Sequence, residues 1–136
     1  MNTISHHAAL IYVMVVVSAS DGAMTDRELH AIGEVVKTLP VFRDFDSTRL
    51  IAVSQECAAI LDEPDGLDAV LGLVKEALSP ALRETAYLLG LDIALVDARV
   101  RLEEVRILDI LRRALELDRL ATAALERAAQ ARFQAA

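Results

Sequence analysis

Residues 15–36 read VVVSASDGAMTDRELHAIGEVV. An almost charge-free run stops at Asp21-Gly22, and beyond Thr25 apolar residues return at the spacing of an amphipathic helix. The apolar run reaches back to about residue 5 and is apolar nearly all round, which predicts a helix over 5–20 at the centre of a core. Its β-branched residues (Val13, Val15, Val16, Val17) also suit a buried strand, and periodicity alone does not separate the two. Length, and the lack of a partner strand elsewhere in the sequence, favour helix.

The second helix is expected over 25–38, with Leu29, Ile32, Val36 and Leu39 on one stripe and Arg27, His30, Glu34 and Lys37 opposite. Thr25-Asp26-Arg27-Glu28 fits a capping box, in which the Thr hydroxyl meets the amide of Glu28 and the Glu carboxylate reaches back. After a connection at 39–46, a third helix over 47–61 is expected to bury Leu50, Val53, Cys57, Ile60 and Leu61. Asp65 is placed to cap a fourth helix over 66–78. Ser79-Pro80 reads as an N-cap followed by proline at the first helical position. A largely apolar fifth helix over 80–96 ends at Asp97. Leu102, Val105, Leu108, Leu111 and Leu115 then mark a sixth, and an Ala-rich seventh spans 118–133.

Composition agrees. Hydrophobic residues make up 54% of the 136 residues and charged residues 26%, with only three prolines and five glycines, so long helices with short connections fit best. The fold class expected is all-α, about seven helices in one domain over residues 1–136. Cys57 is the only cysteine, so no internal disulfide or cysteine-rich zinc cage is expected, and a reducing compartment is the simplest inference. Residues 8–19 resemble the apolar part of a signal peptide, but no Lys or Arg precedes them. Those twelve residues are also too short to cross a bilayer, which takes about 20. Residues 1–98 hold 15 acids against 6 bases and residues 99–136 hold 6 against 8. An acidic chain repels phosphates, so nucleic acid is not an expected partner, and the Arg-rich end reads as a solvated face.

Residues 12–36 align with residues 88–112 at an offset of 76. Asp21 falls on Asp97, Glu28 on Glu104, Leu29 on Val105, Ile32 on Leu108 and Val35 on Leu111. Each copy is an apolar helix, a bend beginning with Asp, and an amphipathic helix with Glu near its start. Two pseudo-symmetric helical hairpins packed in one bundle follow from this. The capping reading holds for Glu28 alone, because Thr25 aligns with Arg101, whose side chain offers no acceptor.

An apolar helix, Ser18-Ala19-Ser20-Asp21-Gly22 and then Glu28, echoed by Val96-Asp97-Ala98 and Glu104, resembles the TerB tellurite-resistance family. The same helical domain stands at the front of some membrane-anchored DnaJ-like co-chaperones. The resemblance covers about residues 5–133 and implies an all-helical domain of two related halves whose acidic loop residues bind a divalent metal. It carries over Asp21, Glu28, Asp97 and Glu104 as metal ligands, and protein partners, membrane proteins among them. The second bend departs from the pattern: Ala98 stands where Gly is usual, and Arg99 and Arg101 add charges able to neutralise the acids internally. No His-Pro-Asp tripeptide occurs, so a J-domain is absent.

Two carboxylates 4 Å apart repel by about 4 kcal/mol at an effective dielectric of 20, so acids gathered from both bends need a counter-charge. All-oxygen ligands select Ca²⁺, Mg²⁺ or Mn²⁺ over zinc, and the spacing is not that of an EF-hand. Asp92, alone in an apolar helix, is expected to meet a partner such as an Arg. His30, four residues from both Asp26 and Glu34, has spacing for a softer metal but reads better as a solvated position, and His6 and His7 as a frayed terminus. No hydrolase elbow, phosphate loop or dinucleotide fingerprint occurs, so catalysis is not expected. The expectation is a cation-responsive or protein-binding module of a bacterial stress-response system. It is placed in the cytoplasm, or at the inner membrane face through a partner, without direct insertion and with self-association left open. The alternative is a metal-independent scaffold.

Overall fold

The computed structural model describes residues 3–20, 22, 24–96 and 102–135. Among these residues the chain forms seven α-helices: α1 (His6–Ala19), α2 (Asp26–Thr38), α3 (Leu50–Leu61), α4 (Gly66–Ala77), α5 (Pro80–Leu95), α6 (Leu102–Ala114) and α7 (Arg119–Arg132). Short 3₁₀ turns at Pro40–Phe42 and Ser47–Arg49 lie in the α2–α3 connection. Among the described residues none is in a strand, so the β-branched run of α1 is helical because it is enclosed on every side.

Every residue from Ala9 to Ser18 is buried. α1 packs against α2, α3, α4, α5 and α6, which leaves no side for polar residues and explains its all-apolar sequence. The hydroxyl of Ser5 accepts from the amide of Ala8 at 3.0 Å and fixes where α1 begins. Ser79 does the same for α5, accepting from Leu82 at 3.3 Å with Pro80 behind it, as the sequence predicts.

The internal repeat is visible in the element boundaries. Adding 76 to the ends of α2 gives the ends of α6, and adding it to α1 gives 82–95, within α5. The halves interlock: α1 lies along α5, α6 reaches α1, and α2 reaches α5. Gly90 lies at the α1–α5 contact, where a Cβ would sit 3.2 Å from Cγ2 of Val17.

Four local expectations are corrected. Leu29 and Val105 do not lie on the buried stripes; they are 43% and 52% exposed. Leu50, Ile60 and Leu61 are only partly buried, and α3 turns Val53 and Cys57 inward. Asp65 stands at the N-cap of α4 in a left-handed conformation, φ 58°, and makes no side-chain cap. The turn there is set by contact, because a Cβ on Gly66 would lie 2.1 Å from the carbonyl oxygen of Ile60. Finally, His7 is not frayed. It is buried in the first turn of α1, with Nε2 2.9 Å from the Val41 carbonyl oxygen and 3.2 Å from Oδ1 of Asp44. A carbonyl only accepts, so Nε2 carries the hydrogen. The signal that could have placed His7 was Ser5, whose capping role makes residue 7 part of a formed turn.

Candidate metal centre

The first bend closes locally. Ser20 donates its hydroxyl to the Val17 carbonyl at 2.7 Å, and the amide of Gly22 donates to the Ala19 carbonyl at 3.1 Å. Gly22 has φ 115°, which an L side chain rarely adopts. The capping box at the start of α2 is formed: the Glu28 amide donates to Oγ1 of Thr25 at 3.1 Å, and the Thr25 amide donates to Oε1 of Glu28 at 2.8 Å.

The two glutamates are both buried. Glu28 is 2% exposed and Glu104 is 4% exposed, while the apolar residue after each points outward. On α2 the inner line therefore runs Glu28, Ile32, Val36, at four-residue steps. Burying an ionised carboxylate costs several kcal/mol after relaxation. One charge-assisted hydrogen bond returns about 1.5–3 kcal/mol and the helix N-terminus about 0.3–1, so further donors or a counter-charge are called for. Glu104 is itself engaged by a neighbouring group.

The bend after α1 and the first turns of α6 face one cleft of about 480 Å³, since Gly22, Glu103 and Arg106 all line it over an apolar floor that includes Leu61 and Ile107. Asp21 and Asp97, the other two residues expected as ligands, lie outside the described residues, as do Ala98, Arg99 and Arg101. Among the described residues no group of three or more His, Cys, Asp or Glu is arranged to hold a metal ion. Glu28 and Glu104, which do not line that cleft, are two buried carboxylates, oxygen donors of the hard kind that Ca²⁺, Mg²⁺ and Mn²⁺ prefer.

Other titratable groups have structural settings. Asp92 meets Arg132, Oδ2 to Nη1 at 2.7 Å, which is the kind of partner its sequence context requires. Among the described residues its Oδ1 is buried without a hydrogen-bond partner, and burial raises its pKa against the lowering effect of Arg132. Cys57 is fully buried beside the Tyr12 carbonyl, and burial pushes its thiol up to about 12, which suits a core residue rather than a nucleophile. His30 is solvated, 3.9 Å from Glu34.

The sequence pattern described as tellurite resistance protein TerB matches residues 7–130, from the first turn of α1 into the last turn of α7. The chain belongs to the TerB family. No curated protein and no solved structure matches it. As a TerB domain it is a helical module of a tellurite-resistance-associated family, and the paired buried glutamates occupy equivalent places in its two halves. Among its described residues no helix is long and apolar enough to cross a membrane.

Proposed function

We propose that this TerB chain is a non-catalytic, cation-responsive module of a stress-response system, in which Asp21, Glu28, Asp97 and Glu104 hold a divalent cation and a protein partner is bound. The observation that carries this reading is the inversion at the start of α2 and α6: Glu28 and Glu104 are buried while Leu29 and Val105 are left in solvent. Departures from the hydrophobic rule concentrate where function requires them, and this one recurs at equivalent positions of both repeats. A cation would supply the counter-charge and tie the two halves together. The module works in the cytoplasm, reaching the inner membrane face only through its partner.

Binding to the native state must raise its stability, by about 2.7 kcal/mol at a hundredfold excess over Kd. Millimolar Ca²⁺, Mg²⁺ or Mn²⁺ is expected to raise Tm by several degrees over a sample in EDTA. Asp21→Asn combined with Asp97→Asn removes the rise. Glu28→Gln removes it too while leaving an acceptor for the Thr25 amide. Superimposable melting curves across the cation series sink the proposal. A second reading, a metal-independent scaffold, draws on the capping box, which gives Glu28 a structural task without any ion.

A further inference from the structure

The face of α1 that carries His7 also carries Ser18. Positions 7 and 18 are about three turns apart and share a direction about the helix axis to within about 20°. His7 meets the carbonyl of Val41, just past the end of α2. α2 therefore runs back antiparallel to α1 along this face: residues 20–25 join its start to the end of α1, and its end delivers Val41 to the start of α1. Ser18 stands about 16 Å along α1 from His7, and Glu28 about 15 Å back along α2 from Thr38, so the hydroxyl and the carboxylate are brought to one level.

Neither group is satisfied by the protein around it. Ser18 is fully buried, and among the described residues its Oγ has no hydrogen-bond partner. Serine and threonine hydroxyls in helices and at their ends commonly turn back to a carbonyl of the preceding turn. Ser20 and Thr38 do so here, at 2.7 and 2.6 Å; Ser18 does not. Glu28, 2% exposed, accepts a hydrogen bond at Oε1 from the Thr25 amide at 2.8 Å, which is little for an ionised group taken out of water. Hydroxyl and carboxylate oxygens are both hard donors of the kind that divalent cations take. The level is also that of the C-terminal end of α1, where the negative pole of the helix dipole favours a cation.

We propose that Ser18 is a ligand of the divalent cation, its neutral hydroxyl oxygen joining the carboxylate of Glu28. This rests on the cation reading and adds to it a donor that the repeat does not duplicate. The equivalent position in the second half is Ala94, buried and with no polar atom in its side chain. The first half thus holds the ion with one donor more than the second.

The test compares the unsubstituted chain with Ser18→Ala and Ser18→Cys, by calorimetric titration with Mn²⁺ and with Cd²⁺ and by melting in EDTA. Ser18→Ala is expected to bind Mn²⁺ about tenfold more weakly, a loss of about 1.4 kcal/mol. Its Tm in EDTA is expected to equal or exceed that of the unsubstituted chain, because an unpaired hydroxyl leaves the core. Ser18→Cys is expected to bind Cd²⁺ at least about tenfold more tightly than the unsubstituted chain does, with the near-ultraviolet absorption of a cadmium thiolate, since a thiolate is a soft ligand. Cys57 is present and buried in both, so it does not account for the difference. Unchanged Mn²⁺ affinity in Ser18→Ala overturns the proposal, as does a loss of affinity matched by an equal loss of stability in EDTA, which makes Ser18 a packing residue. No Mn²⁺ binding to the unsubstituted chain removes the cation reading and this inference with it, whereas binding that Ser18→Ala leaves intact removes this inference alone.

Discussion

Asp92 brings a carboxylate into an apolar helix, and Arg132, on the last turn of α7, reaches one of its oxygens at 2.7 Å. Burial holds the Asp92 pKa above its ordinary 3.8, and Arg132 works against that. Between 3.8 and the raised folded value the native state binds more protons than the unfolded chain, so this group's contribution falls as pH rises through that window. Arg132→Ala removes the lowering influence and widens the window upward. The variant is expected to lose about 1 kcal/mol at pH 7, a modest figure because the guanidinium is half-exposed and screened, and to recover most of it near pH 4. Urea denaturation at the two pH values measures this; an equal loss at both removes Asp92 from the account. That Asp92 needs a partner was legible in the sequence, from its isolation among apolar residues. Which partner was not, because Arg132 lies 40 positions further on and meets it only through the α5–α7 packing.

The start and length of a helix are local matters, and the sequence showed them through Thr25 and Ser79 as caps and through periodicity. The phase of a helix is different. Stripes running 28, 32, 36 and 29, 32, 36 both fit α2, because steps of three and four residues both return to one face. The apolar choice was Leu29, yet the packing turns Glu28 inward. Leu29→Gln is therefore expected to change stability by no more than about 0.5 kcal/mol, the range for surface positions. Ile32→Ala, at a fully buried site, is expected to cost about 2–5 kcal/mol. Comparable losses for the two in chemical denaturation would return Leu29 to the core and undercut the inversion on which the cation proposal stands.

Across the whole molecule, the interlocked repeat has α1 packed along α5, and Gly90 sits in that contact. A Cβ at 90 meets Val17 Cγ2 at 3.2 Å, with side chains of Leu111 and Leu108 at 3.5 and 3.6 Å. Gly90→Val is expected to destabilise by about 1–3 kcal/mol through overpacking. In a double-mutant cycle, Val17→Ala should make the same substitution cheaper by more than about 0.5 kcal/mol, since the two side chains compete for one space. Strict additivity of the two changes would place the α1–α5 contact elsewhere.

Local chemistry in the chain determined the helices, their caps, the repeat at an offset of 76 and the family they resemble, because capping, propensity and periodicity act within a turn or two. Tertiary structure alone decided which of two adjacent residues entered the core at 28 and 29, where His7 found its seat, and which arginine met Asp92. Those choices turn on single 100° steps about a helix axis and on contacts between segments far apart in the chain, where packing differences of a few kcal/mol outweigh anything a local pattern encodes.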